Sequence, residues 1–308
     1  MSSSHATIST EPLRVIQFPH PGFQHTSTRY LGPKKQRTGV MEWKEEGTVH
    51  NRKYLVASGS VVDPTTLEYR VGVQLGFWGE WEAPSRWTHA EGRVESYHPS
   101  VFHEPLLPAA RLAGPHQNTD PLVFGDRFLY TNCRMGIRPL GGIPSGSLIF
   151  FGRSAVVNDE PSFALDTCVV VDHRNDRITT EPGEARPWGE DLLTDMVIAP
   201  LRSGAAPQKA TTIHHYVGRR YTPGMDSPYS FFPAVLHQES PEGFARPVLE
   251  PTGLLADLIN PNLRMSVRTR VFGDPGAVRD IWQHVVDRVT EAGCVLGVHA
   301  APPVRGEA

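Results

Sequence analysis

The stretch MSVRTRVFGDPGAVRDIWQHVVDRVTEAGCVLGVHA, residues 265–300, reads as strand, helix, strand and decides the fold class. Met265, Val267, Thr269 and Val271 alternate with Ser266, Arg268 and Arg270, which suits a strand with one wet face. Asp274 stands where an N-cap belongs, and Pro275 fits the first helical position, where its missing N–H costs nothing. Val278, Ile281, Trp282, Val285, Val286 and Val289 then recur at helical spacing and form one apolar stripe. An amphipathic helix is predicted over about 275–292. Gly293 ends it, and Cys294–Val298 predicts a strand.

Upstream the pattern changes. Glycine and proline, 28 of each, interrupt the chain too often for long helices. Between the breaks lie short β-branched and aromatic runs: Leu13–Phe18, Tyr54–Val62, Tyr69–Trp78, Val123–Thr131, Ser147–Gly152, Ala164–Val171, Thr212–Val217 and Tyr229–Leu236. Weaker helical patterns cover Glu190–Ile198 and Gly253–Ile259. Strands dominate and no regular βαβ alternation appears. The expectation is an α+β fold, a mixed or antiparallel twisted sheet with a few helices. Residues 1–11 and 301–308 read as tails. Residues 12–205 read as a strand-rich part, and 206–300 as a smaller α+β part packed onto it or continuous with it.

Composition excludes some classes. No apolar run approaches the 18 residues that a membrane helix needs. A net charge of -3 gives no global electrostatic case for nucleic acid. Three widely spaced cysteines, Cys133, Cys168 and Cys294, argue against a disulfide framework or a Cys-x-x-Cys metal site, so a cytoplasmic location is expected. The phosphate loop, nucleophile elbow, His-Glu-x-x-His and Gly-x-Gly-x-x-Gly signatures are all absent, and the sequence names no cofactor and no oligomeric state. The 25 arginines outnumber five lysines. Arginine grips phosphate and carboxylate groups bidentately where lysine offers only a point charge.

Candidate chemistry gathers in the first 140 residues. Phe18-Pro-His-Pro-Gly-Phe-Gln-His25 closes the first strand with a rigid turn carrying His20 and His25 as acid–base candidates. In Gly76-Phe-Trp-Gly-Glu-Trp-Glu82, strand alternation puts Trp78, Glu80 and Glu82 on one face. This Glu-x-Glu spacing resembles that of ADP-ribosyltransferases. It falls early in the chain with no Ser-Thr-Ser strand before it, so the family is not assigned. His98 and His103, in Tyr97-His-Pro-Ser-Val-Phe-His103, are a further acid–base candidate and a low-weight metal pair. Asp120, Arg127, Tyr130 and Arg134 lie in one predicted turn-and-strand segment, where arginines hold an anion and an aromatic ring stacks on a base. Arg219, next to Arg220, adds an anion-binding candidate.

The sequence therefore suggests an enzyme acting by transfer or hydrolysis on a nucleotide or nucleic-acid-derived substrate. His20, His25, Glu80, Glu82 and His98 are its expected acid–base groups. Trp78, Asp120, Arg127, Tyr130, Arg134 and Arg219 are expected to hold a small anionic or nucleotide-like ligand. The alternatives are a non-catalytic binding module using the same aromatic and arginine surface, and a metal-dependent enzyme with histidine ligands.

Overall fold

A computed structural model describes residues 11–20, 38–41, 52–81, 85–90, 98–108, 120–131, 138–157, 160–178, 192–193, 212–263, 266–303 and 305–306. Among these residues sixteen strands and one long helix follow in chain order. They are β1 (Leu13–Pro19), β2 (Thr38–Met41), β3 (Lys53–Val62), β4 (Tyr69–Gly79), β5 (Ser85–His89), β6 (Val101–Pro105), β7 (Leu107–Pro108) and β8 (Leu129–Tyr130). Then come β9 (Leu148–Val157), β10 (Glu160–Ile178), β11 (Thr212–Gly218), β12 (Phe232–Leu236), β13 (Val248–Leu249), β14 (Arg268–Phe272), α1 (Pro275–Glu291), β15 (Val295–Ala300) and β16 (Arg305–Gly306). The fold is α+β, with two mixed sheets and the C-terminal helix.

The first sheet runs β14-β1-β9-β10-β11-β8, with β13 joined to β10; the second runs β15-β12-β4-β3-β6-β5-β2. Most pairs are antiparallel, but β1 with β9 and β3 with β6 are parallel. Strands after residue 206 enter both sheets: β11 and β14 complete the first, β12 and β15 the second. The 301–308 stretch, expected as a tail, contributes β16, which pairs with β7. The loop region near residue 205 lies outside the described residues.

Strand alternation sends side chains into two cores. Ile16 and Phe18 of β1 join Leu55 and Phe77 of the second sheet in one. Val15, Phe150 and Val170 join the helix in the other, through Val278, Ile281, Trp282, Val285, Val286 and Val289. The stripe predicted for α1 is the buried one. Asp274 caps it by accepting from the Gly276 N–H, and the Trp282 indole N–H donates to the Tyr229 carbonyl at 2.9 Å.

Two expected elements differ. Val123–Thr131 holds only the two-residue β8, because Gly125 at φ +92° turns the chain in mid-run. Gly253–Ile259 closes as a single 3-10 turn at Gly253–Leu255 followed by turns. Of Glu190–Ile198 only Leu192 and Leu193, both helical and buried, are described. The strand expected from Met265 is described only from Arg268, as β14. In β14 Val271 is 64% exposed while Phe272 packs inward, so its wet face is not the one that alternation predicts. As an edge strand pairing only with β1, it satisfies its arginines by reaching across to Asp257.

Candidate functional site

The end of the sandwich where β1, β3 and β4 terminate carries a buried chain of charges. Lys53 pairs with Gly79 on the last rung of β3–β4, so Arg52 and Glu80 face each other one step beyond it. Arg52 Nη1 donates to Glu80 Oε2 at 3.3 Å. His20, one residue past β1, places Nε2 at 3.3 Å from the same Glu80 oxygen. Its backbone N–H is fixed by the Gly152 carbonyl at 2.8 Å.

Asp166 continues the chain. β10 slips register between Leu165 and Thr167, making Asp166 the extra residue of a bulge against β9. Bulges re-aim a side chain, and this one delivers a carboxylate into the ionic chain from a run that otherwise reads apolar. Asp166 Oδ2 lies 2.7 Å from Arg52 Nε, and Oδ1 lies 3.1 Å from Arg246 Nη1. Arg246, in the loop before β13, stacks its guanidinium 4.8 Å from the Trp78 ring centre. The Trp78 indole N–H donates to the Phe244 carbonyl at 2.8 Å. From His20 through Glu80, Arg52 and Asp166 to Arg246, every side chain is at most 2% exposed.

Taking such charges out of water costs several kcal/mol per ion, roughly, and well-packed apolar residues often serve stability as well or better. Stability alone is therefore a weak reason for the chain. Burial, with Arg153 and Arg52 nearby, pushes Arg246 down to about 10, and Asp166 offsets this only in part.

A cavity of about 630 Å³ meets the chain at Arg246. Its walls come from the loop carrying Gly243, Phe244 and Arg246 and from the C-terminal end of α1, with His98 and Glu242 also lining it. Gly243 has φ +76°, and a Cβ there would press on Pro99 and Tyr54. The loop can lie this close to the wall only as glycine.

Apart from Trp78, which lies beneath Arg246, the remaining sequence candidates that the structure describes do not join this chain. His98 is half-buried on the cavity wall. His103 is fully buried, with Nδ1 2.8 Å from the Ser85 hydroxyl. Among the described residues no group of three His, Cys, Asp or Glu side chains is placed to hold a metal ion. Asp120 is buried and accepts from the Thr131 N–H and hydroxyl, holding the chain that leaves β8. Tyr130 is fully buried among Phe18, Phe151 and Tyr216, so it is a core ring with no face for a ligand. Trp78 is only 2% exposed, and Arg246 covers one of its faces. Arg219 donates to the Pro228 carbonyl at 3.4 Å. Arg127 lines a second, smaller cavity of about 330 Å³ with His173, Asn175 and His215, and pairs with Asp172 at 3.0 Å. His25, Glu82 and Arg134 lie outside the described residues.

Sequence reasoning thus picked His20, Glu80 and Trp78 from the buried chain and missed Arg52, Asp166 and Arg246. Asp166 carried a signal, a lone acid within the apolar run Phe163–Val171, since a buried carboxylate requires a partner. Arg52 and Arg246 carried none. Comparison with known protein families, with curated proteins and with solved structures finds no match to this chain.

Proposed function

We propose that the protein is an enzyme acting by transfer or hydrolysis on a nucleotide or nucleic-acid-derived substrate, with His20 and Glu80 as its acid–base pair. The observation that carries this reading is the 3.3 Å contact between His20 Nε2 and a Glu80 oxygen that Arg52 also holds. A carboxylate fixed in this way orients an imidazole, as general acid–base chemistry requires. Buried charge is tolerated at functional sites because preorganisation matters there more than stability.

A non-catalytic binding module is the second reading. It is favoured by the place where the described cavity meets the chain, at Arg246 and not at the imidazole.

The test is turnover by the full chain on a panel of nucleoside mono-, di- and triphosphates, dinucleotides and short oligonucleotides, followed by chromatography. Activity that falls at least about 100-fold in both His20→Ala and Glu80→Gln, with ligand binding retained, supports the enzyme. Binding without turnover in the unaltered protein supports the module instead.

A further inference from the structure

The smaller cavity, of about 330 Å³, holds an imidazole and a carboxylate that a substrate can reach. His20 and Glu80 are 1% exposed, whereas His173 and Asp172 are 45% and 37% exposed. Asp172 is the extra residue where β10 slips against β11, between Val171 and His173. It sets Oδ2 at 2.9 Å from His173 Nδ1 and 3.0 Å from Arg127 Nη1. Bulges are over-represented beside active sites, where they re-aim a side chain. The carboxylate accepts from the Nδ1–H, which leaves Nε2 as the basic nitrogen of the ring. The Asn175 amide lies 3.3 Å from Nε2, a long exposed contact that water replaces at little cost.

Strand register gathers the rest of the wall on one face. His173 pairs with Val217, Asn175 with His215, and Val217 in turn with Leu129. Directly paired residues share a sheet face, and all five line the cavity. Val217 and Leu129 make its apolar part. Arg127 is exposed at the rim, and among the described residues its guanidinium has Asp172 alone as acceptor. Its remaining N–H groups are open to a bound molecule. Charge narrows what that molecule is. Asp172 offsets Arg127, and Asp126 on the wall has Arg220 at 4.0 Å, so the formal charges cancel and a dianion gains nothing. The volume stands at the low end of small-molecule sites, roughly 300–1,000 Å³. An oriented imidazole with a guanidinium beside it suits the addition of water to a carbonyl group.

We propose that this cavity hydrolyses a small uncharged carboxylic ester, with His173 as base, Asp172 as its positioning residue and Arg127 facing the oxyanion. His173 Nε2 takes a proton from water as the water oxygen bonds to the carbonyl carbon. The carbonyl π electrons move onto oxygen, beside Arg127. The carbonyl then re-forms, the C–O bond to the alcohol breaks, and His173 returns the proton to the departing alkoxide. Acid and alcohol are the products, and water is the one co-reactant. Nothing in this step calls on His20 or Glu80.

Release of p-nitrophenol by the full chain from p-nitrophenyl acetate, p-nitrophenyl butyrate, p-nitrophenyl phosphate and bis(p-nitrophenyl) phosphate tests it. The urea-unfolded chain gives the background of solvated imidazoles. The expected result is saturable cleavage of one or both carboxylic esters, above that background and about tenfold or more faster than either phosphate. His173→Gln should lower kcat about 100-fold. Asp172→Asn should lower kcat about tenfold or more with KM unchanged, and Asp172→Glu should restore part of it. A merely structural aspartate would not separate kcat from KM in this way. Arg127→Gln should lower kcat/KM about tenfold. All three positions reach solvent, so the variants keep the fold. The proposal is overturned if ester cleavage does not exceed the unfolded chain, if His173→Gln or Asp172→Asn leaves kcat unchanged, or if a phosphate is the better substrate. Ester cleavage lost in His173→Gln while nucleotide turnover persists supports it and leaves the reading of His20 and Glu80 untouched.

Discussion

Asp166 and Asp172 occupy the two positions at which β10 slips register, the first against β9 and the second against β11. Each bulge turns a carboxylate toward arginine, Asp166 toward Arg52 and Arg246, and Asp172 toward Arg127. Six residues of strand set them about 20 Å apart. One device on one strand thus builds two ionic sites, one buried and one open to water. Asp172 also takes His173 Nδ1 at 2.9 Å, and Asn175 Nδ2 lies 3.3 Å from the other ring nitrogen of His173. Since the amide N–H₂ can only donate, His173 Nε2 accepts and Nδ1 carries the proton that goes to Asp172.

The difference in burial sets the energetics. Asp166→Asn leaves Arg52 and Arg246 buried without their shared counter-charge, which costs about 3–5 kcal/mol. Asp172→Asn loosens an exposed pair and costs at most about 1 kcal/mol. Urea unfolding of the two variants measures the contrast. Equal losses would mean that the buried chain holds no more energy than a surface pair.

Gly152→Ala should damage the same corner without touching a charge. An added Cβ would overlap the Ala164 carbonyl oxygen and crowd the Phe163 ring. β9 and β10 would have to part beside the Asp166 bulge, while the Gly152 carbonyl also holds the His20 N–H. Overpacking of this kind costs about 1–3 kcal/mol. The melting temperature should fall, and under the proposed enzyme reading turnover should fall further than the stability loss explains. An unchanged melt would show that the strands yield freely there.

The sequence made legible what periodicity controls. The stripe on α1 and its Asp274 cap follow from spacing and local chemistry, and the structure has both. So do the long strands β3 and β4, whose apolar runs stand between turn residues. Pairing was not legible. β1 lies between β9 and β14, partners about 130 and 250 residues away along the chain, and nothing in Leu13–Pro19 names either. The site divides along the same line. His20 and Glu80 stand beside proline and tryptophan in conspicuous sequence motifs, whereas Arg246 becomes special only because Asp166 and Trp78 arrive from distant strands.

Acid should destabilise the protein before its carboxylates titrate. Burial lowers His299, with Arg220 adding to the effect and Asp126 opposing it, and burial lowers His237 against Glu104. Each imidazole binds protons less readily folded than unfolded, so stability rises with pH through this range. Their contribution is complete above the unfolded value, near 6.5, and is lost as pH falls toward the lower folded values. Denaturation midpoints between pH 8 and 5 should fall at the acid end, and His299→Gln with His237→Gln should flatten the slope. A slope that persists in the double variant assigns it elsewhere.

Two thiols should be silent in the native state. Burial pushes Cys294 up to about 12 and raises Cys168 further still. The thiolate is the reacting species, so both should react with an aromatic disulfide reagent only as the protein unfolds. At pH 8 at most one fast thiol per chain is expected, against three in denaturant. Two or more fast thiols in the folded protein would contradict the burial of Cys168 and Cys294.

Trp78→Phe tests how the end of the buried chain is held. The indole holds the Phe244 carbonyl with its N–H and lies under the Arg246 guanidinium, so one side chain fixes both the cavity loop and its cation. Phenylalanine keeps a ring beneath the cation but drops the N–H, leaving a buried carbonyl without its donor. That loss costs about 1–3 kcal/mol. A weaker cation–π contact adds about 0.5–1 kcal/mol. Stability is read from urea unfolding of Trp78→Phe, Arg246→Lys and the double variant. If Trp78 positions Arg246, the double variant should lose about 0.5–3 kcal/mol less than the sum of the two single losses. Strictly additive losses would make the tryptophan a packing residue alone.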